Sequence, residues 1–290
     1  MEILKRLDNG SVLALVNLDR IKCHEDIKED YLDELFAIIG KDGELFRPIL
    51  VANPDLVVLD GHHRYHTCKK LGCKRITCIL VDYFRDDIEV TSWSPLVLEK
   101  EEADLAFETI KSAGFEIQEV ETEEEMHKAV DAREAAIGLI VHDGPLDFFI
   151  AKSIEQGDNK KTFSEAMKPI VKDMRSRRKL PILKYTADFD KAKQMVVDGT
   201  AKMLIKVPVI AKENVIRRSN LEEKYPPKTT KHMLPEIQDY HVSLERLKKS
   251  NPEEDVEMTD EQRIKDEQHM KEHMEKETFK ASIEYWFNDN

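Results

Sequence analysis

Asp60-Gly61-His62-His63-Arg64 places one carboxylate, two imidazoles and one guanidinium around a single glycine. Groups of these kinds, gathered at one point, suit phosphate chemistry, with positive and N–H-bearing groups for the oxygens and a carboxylate for a cation or a proton. The flanks say how the chain would present them. Val57-Val58-Leu59 has no polar member and reads as a short, covered strand. Gly61 breaks it and lets the backbone turn sharply and a ligand approach closely. Tyr65, Cys68 and Leu71 then recur at helical spacing, and Gly72 is placed as the helix stop. The five residues therefore fall where a strand ends and a helix begins. Unpaired backbone N–H groups and the positive end of the helix dipole favour anions there. A plainer reading stays open, in which Asp60 caps the helix and the rest is a polar first turn.

The surrounding chain alternates helix and strand. A first strand is expected over Ser11–Asn17, followed by a polar connection containing His24 and Glu25. An amphipathic helix over about 28–39 should be ended by Gly40-Lys41-Asp42-Gly43. Phe46–Val51 reads as a strand, with Pro48 placing it near an edge or bulge. Ile76–Val81 and Ile88–Trp93 give two more. Beyond Pro95 the pattern predicts helices over Glu101–Ala113, Glu123–Arg133, Phe163–Met174 and Asp188–Val197. Strands are predicted over Phe115–Val120, Ile137–Val141, Leu146–Ala151, Ile182–Tyr185 and Met203–Val207. The fold class is mixed α/β. Three parts are expected: residues 1–95, residues 96–250 closing in a loop with Lys228-Thr229-Thr230-Lys231-His232, and residues 251–290.

Composition bounds the function. The 290 residues carry a net charge of −13, which argues against a protein that coats nucleic acid. Residues 251–290 hold 13 acids and 5 bases, so this acidic tail supplies −8 of that total. It reads as a solvated helix or flexible segment, ending in the aromatic cluster Tyr285-Trp286-Phe287. No apolar run approaches the length of a membrane span. Met1–Asp8 lacks a secretory pattern, so a cytoplasmic location with reduced thiols is expected for Cys23, Cys68, Cys73 and Cys78. None of these cysteines forms a C-x-x-C pair. His62 and His66 stand four apart without H-E-x-x-H or a marked third ligand, so zinc is not expected.

Strand, acidic loop, helix, a strand carrying Pro48, then D-G-x-x-R opening a helix resembles the ParB/sulfiredoxin-like domain. Sulfiredoxins carry a nucleophilic cysteine before the final His-Arg of this motif. His62 holds that position here, so sulfinic acid reduction lacks its nucleophile. The chain more closely resembles the free L-serine kinase branch of that superfamily, from about Leu13 to Leu247. The resemblance rests on His24-Glu25, Leu59-Asp60-Gly61-His62-His63-Arg64, Asp82-Tyr83-Phe84 before Trp93, and Pro227-Lys228-Thr229-Thr230-Lys231-His232-Met233-Leu234-Pro235. Ser94 departs from a position where an aromatic is common, and Lys231 from one where arginine is usual. The resemblance implies a ParB/sulfiredoxin-like N-terminal domain and phosphoryl transfer from ADP or ATP to the hydroxyl of free L-serine, giving O-phospho-L-serine. It implies Glu25 as the base and Asp60 beside the transferred phosphoryl, with Mg²⁺ held there through the phosphates. Gly61, His62, His63, Arg64, Lys228 and Thr229 would hold phosphate, and Phe46, Trp93, Thr230, Lys231 and His232 would line the substrate.

Taken alone, Glu25 is one of 58 acids and would be read as a solvated charge, and Trp93 as core. The competing function is a non-catalytic ParB-like nucleotide switch. The expected partners are L-serine and nucleotide, with no membrane and no nucleic acid, since no helix-turn-helix segment is recognisable. Deleting residues 251–290, which lie outside every motif, is expected to leave phosphoserine formation within about twofold of the full chain, measured by mass spectrometry of the product. Loss of turnover would place Tyr285-Trp286-Phe287 against the site.

Overall fold

The computed structural model describes residues 1–142, 144–176, 183–233 and 239–250. The acidic tail with Tyr285-Trp286-Phe287, Ile182, and Leu234-Pro235 of the late motif lie outside the described residues. In chain order the elements are β1 (Glu2–Arg6), β2 (Val12–Asn17), α1 (Glu29–Asp42), β3 (Glu44–Leu45), β4 (Ile49–Asn53), β5 (Val57–Asp60), α2 (His62–Lys70) and β6 (Arg75–Asp82). Then come β7 (Glu89–Ser92), β8 (Ser94–Val97), α3 (Lys100–Ser112), β9 (Phe115–Val120), α4 (Glu123–Asp131), β10 (Ile137–His142), β11 (Leu146–Ser153) and α5 (Phe163–Ser176). The last are β12 (Leu183–Thr186), α6 (Phe189–Val197), β13 (Met203–Lys206), α7 (Lys212–Ser219), β14 (Thr230–Met233), β15 (Val242–Ser243) and α8 (Leu244–Lys248). No helix among the described residues is long and apolar enough to cross a membrane.

Two compact units emerge. The first takes residues 1–89, 212–227 and the described residues from 232 to 250; the second takes residues 90–211 and 228–231. This departs from the expected cut after residue 95. The helix at 212–219 and the closing α8 pack with the N-terminal unit instead of the second one, and neither periodicity nor composition marks that return.

The first unit is built on a five-stranded sheet in the order β1-β2-β6-β4-β5. β2 runs antiparallel to β6 and β4 parallel to it, while β5 returns antiparallel to β4 past a bulge between Leu50 and Val51. Ile49, Val51, Val58, Ile76 and Leu80 meet Tyr65 and Cys68 of α2 and Ile39 of α1 in one core. Gly43, in the left-handed region at φ +74°, ends α1, so Gly40 to Asp42 belong to the helix and do not break it. β4 begins at Ile49 and lies inside the sheet. Phe46, Arg47 and Pro48 precede it, and the proline therefore costs no ladder hydrogen bond. β5 is buried at Val57, Val58 and Leu59 as expected, yet it is an edge strand. Lys22 covers that edge: its N–H donates to Leu56 O at 2.9 Å, and Val58 N–H donates to Lys22 O at 2.9 Å.

The second unit holds a six-stranded sheet in the order β12-β8-β13-β10-β11-β9, in which every pairing is antiparallel. The strand expected over Ile88–Trp93 divides into β7 and β8. Pro95 sits inside β8 opposite Tyr185, at a level where β13 pairs only with Leu96 and Val97, so the missing N–H is tolerated.

Arg75 fixes the C-terminus of the described chain to this frame. Its side chain is 2% exposed. Nη1 donates to Glu2 Oε2 at 2.8 Å, Nε to Lys249 O at 2.9 Å, and Nη2 to Arg246 O at 3.1 Å. Arg246 donates in turn to Glu2 Oε1 at 2.9 Å. Removing the guanidinium takes the donor from two carbonyls and leaves the Glu2 carboxylate to Arg246 alone. Arg75→Met is therefore expected to lower unfolding stability by about 3 kcal/mol in urea denaturation.

Candidate active site

Gly61 is the pivot. Its φ of +96° belongs to the left-handed region that glycine enters without strain. A Cβ here would stand 2.6 Å from Ile49 Cγ2 and 3.0 Å from both Nε and Nη2 of Arg64. The turn is thus closed over by its own neighbours. α2 begins immediately, with Gly61 as N-cap and no side-chain cap hydrogen bond, and with Tyr65 N–H donating to Gly61 O at 2.9 Å. Asp60 is the last residue of β5, directly before that turn. Its Oδ2 accepts from Arg64 Nη2 one helical turn on, and its side chain is half exposed.

Arg64 is buried, and its Nη1 donates to Pro48 O at 2.9 Å and to Arg47 O at 3.2 Å. The guanidinium therefore ties the start of β4 to the end of β5 and aims Asp60. His63 accepts from Lys28 N–H at 3.0 Å through Nε2 and packs edge-on against Tyr31 at 4.7 Å between ring centroids. Lys28 is the N-cap residue of α1. Of the residues expected to hold phosphate, these two carry structural bonds in this arrangement, and the mouth of α2 is left to Asp60, Gly61 and His62.

Glu25 is brought to the same place by backbone pairing. Past the Lys22 bridge to β5, Tyr225 N–H donates to His24 O at 2.9 Å and Asp26 N–H donates to Tyr225 O at 2.8 Å. Those two bonds flank Glu25 and fix its direction. It is 7% exposed, unlike the solvated charge that its isolated sequence context suggests. Its Oε1 lies 3.7 Å from His24 Nε2.

His24 centres a cluster of imidazoles. It is fully buried, edge-on to His62 at 4.7 Å and to His232 at 5.7 Å between centroids. His62 Nε2 is buried without a hydrogen-bond partner among the described residues. His232 Nε2 meets the Tyr83 hydroxyl at 2.9 Å. Burial, and then the neighbouring rings His62 and His232, hold His24 well below the usual histidine range. Burial pushes His62 down to about 3 against the opposing pull of the Asp60 carboxylate. Both rings are therefore neutral at pH 7, and each offers one N–H and one lone pair.

Phe46 stacks edge-on with His241 at 5.0 Å and accepts from Tyr240 N–H at 2.8 Å, so it is held against the segment that precedes α8. In the second unit, Trp93 Nε1 donates to Thr230 O at 3.0 Å, and its half-buried ring lies under Lys228 Nζ at 3.8 Å and Lys231 Nζ at 4.9 Å. Lys228 adopts a left-handed backbone at φ +63°, a conformation that costs a non-glycine residue free energy and concentrates at functional turns. Thr229 and Thr230 are buried. Among the described residues no set of three or more His, Cys, Asp or Glu could hold a metal on its own. Tyr225 carries no local sequence signal. In the sequence Tyr83 stands only within Asp82-Tyr83-Phe84, and nothing local to His24 gives it a place in the site.

No family model matches the chain. The ADP-dependent L-serine kinase SerK of Thermococcus kodakarensis is 29% identical over 240 residues, covering 81% of this chain and 92% of that protein. An ATP-dependent L-serine kinase of Staphylothermus marinus is 27% identical, covering 77% and 86%. The solved structure of a free serine kinase in complex with AMP aligns with a TM-score of 0.69 at 27% identity, over 85% of this chain and 97% of that one. The chain resembles free L-serine kinases over most of its length. A ParB-like protein of Sulfolobus acidocaldarius is 34% identical over 85 residues, which are 29% of this chain and 42% of that protein. The mixed α/β fold expected from the sequence is thus shared with serine kinases, and a ParB-like portion lies within it.

The neutral imidazoles set a pH dependence. The unfolded chain protonates its histidines below about pH 6.5, whereas folded His24 and His62 resist protonation, so protons bind the unfolded state preferentially as pH falls toward 3. Each ring should withdraw up to about 1.4 kcal/mol of stability per pH unit in that window. The urea midpoint is expected to fall between pH 7 and pH 5. A midpoint that holds steady would mean that these rings are protonated in the folded protein.

Proposed function

We propose that this chain transfers a phosphoryl group from ADP or ATP to the hydroxyl of free L-serine, giving O-phospho-L-serine. The observation that carries the reading is Glu25: a carboxylate on a residue 7% exposed, whose flanking backbone makes two hydrogen bonds to Tyr225, beside neutral His24. The similarity to L-serine kinases over about four-fifths of the chain supports the same reading.

In the proposed reaction, Glu25 takes the proton of the serine hydroxyl as the new O–P bond forms and the bond to the nucleotide's leaving oxygen breaks. A serine hydroxyl is a poor nucleophile until a positioned base removes that proton. The backbone at Gly61 and the start of α2 would receive phosphate oxygens, helped by the N–H of neutral His62 and by His232. Mg²⁺ takes one or two carboxylates together with phosphate oxygens and water, so half-exposed Asp60 fits as its single protein ligand. When bound there, the cation would neutralise charge on the phosphates. Arg64 would act through Asp60, whose oxygen it holds, and His63 through the junction of α1 and α2.

A nucleotide-binding switch of the ParB-like kind is the second reading, favoured by the similarity of one stretch to a ParB-like protein. A switch needs the phosphate pocket but has no use for a buried base. Purified protein incubated with serine, Mg²⁺ and either ADP or ATP should yield phosphoserine, and comparing the two nucleotides assigns the donor. Glu25→Gln keeps size and polarity but cannot accept a proton at neutral pH. It is expected to lower kcat by about 10²–10⁴-fold while the nucleotide Kd stays within a few-fold. Undiminished phosphorylation in the variant would remove Glu25 from the role of base. Nucleotide binding without phosphoserine in either protein would favour the switch.

A further inference from the structure

Tyr83 lies just past β6, in a turn where Arg85 N–H donates to Asp82 O at 3.3 Å. Its ring is 1% exposed, with Lys212 Nζ 5.6 Å from the ring centroid and the same ammonium donating to Arg85 O at 2.8 Å. A phenol held this firmly has little freedom to swing, and its hydroxyl meets His232 Nε2 at 2.9 Å. His232 is itself 7% exposed and stands edge-on to His24 at 5.7 Å, and His24 in turn reaches Glu25 at 3.7 Å and His62 at 4.7 Å. A continuous set of contacts therefore runs from Tyr83 through His232 and His24 to the carboxylate and the mouth of α2.

We propose that Tyr83 is a positioning residue whose hydroxyl donates to Nε2 of His232, keeps the proton of that imidazole on Nδ1, and fixes the ring edge presented to His24. A neutral imidazole has one N–H, and the partner on one ring nitrogen decides which atom carries it. A free imidazole prefers its proton on Nε2, so without a donor at that atom the ring would revert and exchange the positions of its donor and acceptor. Burial keeps the phenol protonated far above neutral pH, so a proton is available to donate. Tyr83 acts through His232 and touches no reacting atom.

Long-range ¹H–¹⁵N correlation spectra of the full chain labelled at histidine nitrogens read the tautomer directly. The parent should show His232 with an unprotonated Nε2, its signal assigned from its loss in His232→Gln. Tyr83→Phe, which keeps the buried ring, should move His232 to the Nε2-protonated pattern. On the proposed kinase reading, the same variant should lose kcat on the order of tenfold, the scale on which partners that orient functional histidines act. Its KM for serine and its ADP Kd should change much less. A protonated Nε2 in the parent spectrum, or a tautomer unchanged in Tyr83→Phe, overturns the proposal. So does a shifted tautomer with full kcat in a protein that phosphorylates serine. If neither protein phosphorylates serine, the kinase reading fails, and the spectra still decide the Tyr83–His232 contact. The parent spectrum decides it too if Tyr83→Phe does not fold.

Discussion

The buried guanidinium of Arg64 is the constraint on which the site depends. It stands between the carbonyls of Arg47 and Pro48 and the carboxylate of Asp60. A buried cation is tolerated only when its donors are satisfied, and here the partners come from the start of one strand and the end of the next. Satisfying Arg64 therefore sets where β4 begins, where β5 stops and which way Asp60 points. It also leaves no room for a side chain at Gly61, where an added Cβ would meet both Arg64 and Ile49. A sharp turn, an aimed carboxylate and the mouth of a helix thus follow from one satisfied charge.

Around that frame, the electrostatics favour neutral rings over charged ones. Had His24 and His62 been protonated, two neighbouring imidazolium rings would repel each other and His24 would form an ion pair with Glu25. Burial outweighs the attraction of Asp60 for His62, and His24 is lowered further by its neighbours. A neutral ring offers one N–H and one lone pair and places no positive charge beside the Glu25 carboxylate. The cost appears in stability at mildly acidic pH, where the unfolded chain gains protons that the folded one refuses.

Backbone pairing does for Glu25 what Arg64 does for Asp60. A loop side chain in water samples many rotamers, but the Lys22 bridge to β5 and the two bonds with Tyr225 hold this segment almost as a strand. The four bonds are individually modest. Together they hold the backbone on both sides of Glu25.

The turn at Gly61, the helix that follows it and the stop at Gly72 were legible in the residues because each is a local matter. A run of aliphatic residues, a glycine that alone tolerates φ +96°, and apolar positions at helical spacing act within a few residues of one another. Most elements of residues 96–211 were legible for the same reason. Glu25, by contrast, looked like one acid among many. Its burial depends on Tyr225, two hundred residues away, and no local pattern encodes such a pairing. The return of α7 and α8 to the first unit, the interior place of β4, and the meeting of His24 with His62, His232 and Tyr83 were likewise decided by tertiary structure. The sequence by itself determined which groups are present and where the chain turns. Only the fold decided which of them share a site, because burial and long-range hydrogen bonding exist only once distant segments have packed.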